Sequence, residues 1–259
     1  MFLVAHQDDW QLFMGDIAFK AVRRGNHVTF IYLTAGNENR GAEYWKTRER
    51  AALRSTRLAA GLSSDTTATE CTSVVVRSHV VQRCAVANTV SFFLRLPDGG
   101  RVGSGFEHNA FQSLRRLRAK TITAITAADA SATYRGWSDL ASTVEALIRE
   151  RSTTEAVTLH TSDPNPAINP RDHSDHRMAG FIGATLRKET GWGLIYYVGY
   201  AIATRPDNRS RAEAWQKTAL FLVYDREMLI ANRRWSTYAE RPRFYSMCML
   251  RTYARKFPR

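Results

Sequence analysis

The chain is poor in cysteine, with Cys71, Cys84 and Cys248 its only three in 259 residues. An odd number without metal spacing argues against a disulfide-stapled scaffold and against a structural zinc knot. All three thiols are therefore expected to be reduced, and the cytoplasm is the expected compartment. Long apolar runs are missing too. No stretch approaches the roughly 18 uninterrupted apolar residues of a membrane span. No basic segment precedes the apolar run Met1 to Ala5, so a signal peptide is not expected either. Internal repeats and low-complexity tracts are absent. With 44% apolar residues the chain can bury one substantial core, and a single domain over 1–259 is expected.

Glycine is missing where a dinucleotide-binding turn would need it. Met1 to Ala5 reads as a buried strand. Trp10 to Arg24 carries Leu12, Phe13, Ile17, Ala18, Ala21 and Val22 at helical spacing and ends at Gly25-Asn26. His27 to Thr34, rich in β-branched and aromatic residues, reads as a second strand. Strand, helix and strand predict a right-handed βαβ unit. Its first turn, His6-Gln7-Asp8-Asp9, has no glycine and two adjacent acids, which would repel a pyrophosphate. The glycines at 99, 100, 103 and 105 have the wrong spacing for a phosphate cradle and read as a flexible loop.

Imidazoles and carboxylates are what that turn does hold. His6, Asp8 and Asp9 lie at the carboxyl end of the first strand, where open α/β sheets place ligands. A second cluster, Asp172-His173-Ser174-Asp175-His176, holds two of the seven histidines within four positions. Ser162 to Asp172 reads as a loop after a strand over Glu155 to His160, and Met178 to Leu186 as a helix ending at Gly191. His173 and His176 thus sit at a loop-to-helix junction, where a first turn brings both to one side. Two such clusters supply the donors of a catalytic divalent metal, with a carboxylate beside a ligand to act as base. Read alone, the second cluster is equally a helix cap with polar surface histidines.

The two motifs together resemble the LmbE-like, or PIG-L, family of zinc-dependent N-acetylglucosamine deacetylases, whose motifs run Ala-His-Pro-Asp-Asp-Glu and His-x-Asp-His. The resemblance covers roughly residues 1–190. It implies an α/β fold with a Rossmann-like, mostly parallel sheet, helices on both faces and the metal at the carboxyl ends of the strands. It further implies one Zn2+ per chain held by His6, Asp9 and His176, with Asp8 as general base. His173 would stabilise the oxyanion, and Asp175 would orient or tune a histidine. Gln7 and Trp10 replace the family's Pro and Glu. Trp10 reads either as the floor of a sugar pocket or as a core residue. Arg48, on a helix beginning near Tyr44, reads as a ligand for sugar hydroxyls or as part of a solvated face. Asp98, in Leu94-Arg-Leu-Pro-Asp-Gly-Gly, resembles a strand-end segment of the family and is a candidate for substrate binding, with turn chemistry as the alternative.

The formal net charge is +13, with 37 basic and 24 acidic residues. Residues 205–259 hold 13 Lys or Arg against 5 Asp or Glu, giving 13 − 5 = +8. Aromatic residues interleave them, from Trp215 to Tyr245, which reads as a basic, aromatic-rich C-terminal lobe rather than a tail. Only six of the basic residues are lysine. Such a face points to a solvated surface or an anionic small-molecule substrate rather than to nucleic acid. Ser63 to Thr72 reads as a loop, Ser73 to Leu96 as a hairpin or added strand pair broken at Ala87-Asn88, Thr121 to Thr133 as strand-like, and Trp137 to Arg151 as an amphipathic helix. The functional expectation is a zinc hydrolase that removes acetyl from an N-acetylglucosamine-type conjugate. The alternatives are a metal-dependent amidase on a non-sugar amide and a metal-stabilised binding protein without turnover. A homo-oligomer is compatible with the sequence.

Overall fold

The computed structural model describes residues 1–63, 69–152 and 157–257. The expected βαβ unit forms from β1 (Phe2–Val4), α1 (Asp9–Arg23) and β2 (Val28–Thr34). β1 and β2 pair in parallel from Phe2↔Phe30 to Val4↔Tyr32. The helix α2 (Ala42–Ala59) follows, then three antiparallel strands, β3 (Glu70–Val76), β4 (His79–Val86) and β5 (Thr89–Leu96). The break expected at Ala87-Asn88 is the β4–β5 turn, and a second turn at Arg77-Ser78 makes three strands where a pair was expected. Part of the expected Ser63 to Thr72 loop, 64–68, lies outside the described residues, and Glu70 to Thr72 belong to β3.

After β5 come α3 (Leu114–Arg118), a small separate hairpin of β6 (Ala124–Thr126) and β7 (Thr133–Arg135), and α4 (Gly136–Arg151). The stretch Thr121 to Thr133, expected to be strand-like, contains β6 and the first residue of β7, joined through a bend at 127–132. β8 (Thr158–Ser162), α5 (Ser174–Thr190) and β9 (Gly193–Tyr197) form a second parallel unit. The chain ends with α6 (Arg211–Ala231), α7 (Thr237–Glu240), α8 (Pro242–Met249) and β10 (Ala254–Phe257), which pairs antiparallel to β9.

The eight-stranded sheet runs β10-β9-β8-β1-β2-β5-β4-β3, with five parallel strands at its centre. Period-two alternation divides its side chains between two layers. Phe2, Val4, Phe30 and Tyr32 pack under α1, α2, α6 and α8, whereas Leu3, Ile31 and Leu33 pack under α3, α4 and α5. This is the expected α/β sheet covered on both faces. β1 carries β2 on one edge and β8 on the other, so the connections leave it in opposite directions. The crevice beyond the carboxyl ends of β1 and β8 is the topological switch point of such a sheet.

Two expectations are corrected by packing. Cys71 and Cys84 are direct partners in the β3–β4 register and form a disulfide, so only Cys248 is a free thiol. Their sequence separation of 13 gave no hint of pairing, because the hairpin between them is what brings them together. Trp10 is fully buried, donates its indole N–H to Tyr32 Oη at 2.9 Å and packs on Phe30, so it is a core residue with no face for a sugar. The basic segment after residue 205 also contributes to the interior. Leu220, Phe221, Tyr224 and Met228 of α6 close the layer over α1 and α2. Among the described residues no helix is long and apolar enough to cross a membrane.

Candidate metal centre

The carboxyl ends of β1, β2, β5, β8 and β9 deliver the polar residues that meet in the switch-point crevice. Asp9 opens α1, and its Oδ2 accepts the backbone N–H groups of Ala5 at 3.0 Å and His6 at 2.8 Å. With that oxygen engaged, Oδ1 faces His176 Nε2 at 3.0 Å and His6 Nδ1 at 3.5 Å. The two imidazole nitrogens stand 3.2 Å apart. Tetrahedral ligands 2.0–2.2 Å from a zinc ion lie about 3.3 to 3.6 Å from one another. The triangle His6, Asp9 and His176 therefore fits one face of a zinc coordination sphere. Donor atoms of His6, His173 and His176, and of His6, Asp98, His173 and Asp175, also gather within 4.8 Å. The triangle is the tighter set, with its edges between 3.0 and 3.5 Å.

Asp172 fixes the orientation of His176. Its Oδ1 accepts from His176 Nδ1 at 3.0 Å and from the backbone N–H of Tyr200 at 3.0 Å, and its Oδ2 accepts from Asn169 at 2.5 Å. A carboxylate on Nδ1 sets the tautomer that leaves Nε2 as a ligand. The sequence offers Asp172 only as a helix cap; its real partner lies four residues on, with the ring turned back across the junction. Asn169 and Tyr200 have no motif signal.

Asp8 directly precedes Asp9 in the chain, and its Oδ1 accepts from Arg48 Nη2 at 2.5 Å. The rest of the Arg48 fork is also engaged within the protein, Nη1 on Gly36 O at 2.9 Å and Nε on Tyr224 Oη at 2.9 Å. Arg48 is 7% exposed. The structure thus places Arg48 as an anchor for Asp8 rather than on a solvated face. Gly36 has φ +57°, and a Cβ there would lie 2.7 Å from Arg48 Nη1, so glycine is needed for both conformation and space. Gln7, in place of the family's proline, donates to Thr34 O at 2.9 Å and ties the end of β1 to the end of β2. Tyr224 belongs to α6, far from either motif, and escaped the sequence reading for that reason.

The loop after β5 straps the start of α5 to the cluster. Gly99 N donates to Asp175 Oδ2 at 2.8 Å, and Gly100 N to Asp98 Oδ1 at 2.7 Å. Asp98 Oδ2 and Asp175 Oδ2 each lie 3.6 Å from His6 Nε2, a buried nitrogen with no hydrogen-bond partner among the described residues. His173 caps α5, its Nδ1 accepting the Asp175 N–H at 3.2 Å. In its neutral form the proton then sits on Nε2, which points toward Asp98 Oδ1 at 3.8 Å.

Charge in the crevice is lopsided. Asp8, Asp9, Asp98, Asp172 and Asp175 are all buried there, with Arg48 the one permanent cation paired to any of them among the described residues. Burial disfavours a charged His6, but Asp9, Asp175 and Asp98 override it and raise its pKa to about 10. For His176 the same burial is overridden by Asp9 and Asp172, and its pKa also rises. Asp9 moves well down despite burial, because His176 and His6 face it, and Asp98 moves down because of His6 and His173. A pocket that draws protons onto two imidazoles is one that a divalent cation can neutralise in their stead. His173 behaves differently: burial, then the charge on His6, lower its pKa to about 4, so it is neutral at pH 7.

No curated protein sequence matches the chain. Among solved structures it is similar to the conserved protein TT1542 from Thermus thermophilus, at 18% identity over 99% of this chain and 92% of that one, with a TM-score of 0.43. It is also similar to the zinc inhibited form of teicoplanin deacetylase Orf2, at 12% identity over 89% and 86% of the two chains, with a TM-score of 0.46. The family model described as PIG-L, GlcNAc-PI de-N-acetylase, matches residues 1–186, a span that contains both motifs and every donor of the triangle, and the chain belongs to that family.

Proposed function

We propose that the protein is a zinc-dependent hydrolase that removes the acetyl group from an N-acetylglucosamine-type conjugate. The observation that carries this reading is the donor triangle of His6, Asp9 and His176 with an anchored carboxylate, Asp8, at its side. When bound there, a zinc ion supplies Lewis-acid polarisation of the amide carbonyl and acidifies water. Asp8 takes the proton of the attacking water and returns it to the departing amine. Arg48 keeps the Asp8 carboxylate aimed by holding one of its oxygens. His173, neutral and protonated on Nε2, donates a hydrogen bond to the carbonyl oxygen as negative charge develops on it. Asp98, buried beside His6, is read as an acceptor for a sugar hydroxyl, and Asp175 as the carboxylate that orients His6. Incubation of zinc-loaded protein with N-acetylglucosamine conjugates should release acetate, and chelation should abolish the release. Acetate release from simple acyl amides but from no amino sugar would favour the amidase alternative. Stoichiometric metal without any turnover would favour a binding protein.

A further inference from the structure

The sequence locates much of the excess positive charge after residue 205, yet a group of arginines without acidic partners lies elsewhere. A cavity of about 670 Å³ opens between α3, the first turns of α5 and the loop after β5. Arg101, Arg115, Arg118, Arg171 and Arg177 all line it, and Asp172 is the one acid among the lining residues. That carboxylate is already engaged by His176, Tyr200 and Asn169. None of the five arginines has an ion-pair partner among the described residues. Arg115 is held by Val102 O at 2.5 Å, Arg177 by Pro164 O at 3.3 Å, and Arg118 lies over the Phe181 ring at 3.7 Å. These neutral partners fix the side chains without cancelling their charge. Arg101 and Arg171 make no side-chain hydrogen bond among the described residues.

Five arginines around one cavity, with no acid free to pair with them there, give it a positive potential that an anion relieves. Their planar forks match phosphate oxygens two at a time. Ser174, the first residue of the 17-residue helix α5, lines the same cavity and adds the positive end of the helix. The cavity is concave and sized for a small ligand. Its one aromatic ring, Phe181, is covered by Arg118, so no stacking platform for bases is open. None of the proposed zinc ligands lines it. We propose that this cavity is a binding site for a phosphate-type group carrying at least two negative charges, lying beside the hydrolytic crevice across the Asp98–Gly103 strap. The group is either a free phosphate compound or the phosphoryl portion of the conjugate itself.

The binding is tested without turnover, by titrating the full chain calorimetrically with inorganic pyrophosphate. The expected result is one site per chain whose affinity falls with added salt. Arg101→Gln/Arg171→Gln should weaken it at least tenfold with unchanged thermal unfolding, and each single change should weaken it in part. Arg233→Gln/Arg234→Gln, which removes two exposed charges outside the cavity, should leave it unchanged. N-acetylglucosamine 1-phosphate then separates the sources. Displacement of pyrophosphate by it at least tenfold more readily than by inorganic phosphate makes the group part of the substrate; displacement no more readily than by inorganic phosphate makes it a free ligand. The second arm rests on the deacetylase reading and the first does not, so pyrophosphate binding without any preference for the sugar phosphate leaves the pocket standing and removes its link to that reading. Equal affinity in wild type and the Arg101/Arg171 variant, loss in the Arg233/Arg234 variant, or binding of polynucleotide alone would overturn the proposal.

Discussion

Two regions on either side of the start of α5 use charge in opposite ways. In the crevice, five buried aspartates are each tied to a ring, a guanidinium or a backbone N–H, and donor atoms of His6, Asp9, Asp98, Asp175 and His176 gather close together. In the neighbouring cavity, five arginines carry the opposite charge, and the three that are held, Arg115, Arg118 and Arg177, meet only neutral groups. Within Arg171 to Arg177, His173, Asp175 and His176 face the crevice, Arg171, Ser174 and Arg177 line the cavity, and Asp172 lines the cavity while holding His176. Helical periodicity makes this possible, since residues three and four apart share a face. The difference separates charge that is organised for chemistry from charge that is left to meet a ligand.

The largest effect that would test the crevice side comes from Asp8→Asn. It keeps the side-chain size but cannot take the water proton. Turnover should fall by roughly 10² to 10⁴ with zinc content unchanged. Near-normal turnover would move the base elsewhere, with Asp98 next in reach. His173→Ala should lower kcat by about 10² to 10³ with little change in KM or metal content, because the hydrogen bond strengthens only as the oxyanion forms. Since burial holds His173 near pKa 4, its loss should not shift the pH–rate profile between pH 6 and 8. An alkaline limb that vanishes in the variant would show that it titrates as the essential acid. Asp172→Asn tests the tie on His176 and should weaken zinc binding by about 10- to 100-fold. Unchanged metal affinity would mean that the ring is oriented by packing alone.

Lys217 gives a smaller effect and a useful contrast with the cavity arginines. It too is a cation, but it is fully buried and donates to Cys248 O at 2.8 Å, Thr252 Oγ1 at 3.1 Å and Arg251 O. Burial still lowers its pKa from 10.5 to about 8. Between those values the unfolded chain keeps a proton that the folded chain has released, so the contribution of Lys217 to stability rises with pH across that window and is lost as pH falls through 8. The rise is on the order of 3 kcal/mol. Denaturant unfolding of wild type and Lys217→Met from pH 7.5 to 10.5 should show the gap shifting toward wild type. A pH-independent gap would show that the buried ammonium titrates at its ordinary value.

Much of the crevice was legible because its residues are local. His6 to Asp9 sit between an apolar run and a helical pattern, and His173 to His176 sit at a loop-to-helix junction; both placements follow from short-range periodicity. Features built from distant segments were hidden. Tyr224 reaches Arg48 across 176 residues, the arginine cavity joins residues near 101–118 to residues near 171–177, and Cys71 meets Cys84 only because β3 and β4 pair. Trp10 stayed open between two readings for another reason. Its position beside the motif suggested a ligand face, whereas the first turn of α1 carries it straight into the core under Phe30 and Tyr32.

The central claim is that His6, Asp9 and His176 hold the metal while His173, equally close in sequence and space, does not. Zinc content measured side by side in wild type, His176→Ala and His173→Ala, each purified and loaded identically, tests it most directly. About one zinc per chain is expected in wild type and in His173→Ala, and a sharp loss in His176→Ala. Full occupancy in His176→Ala, or loss of zinc in His173→Ala, would contradict it and assign the ligand to His173 instead.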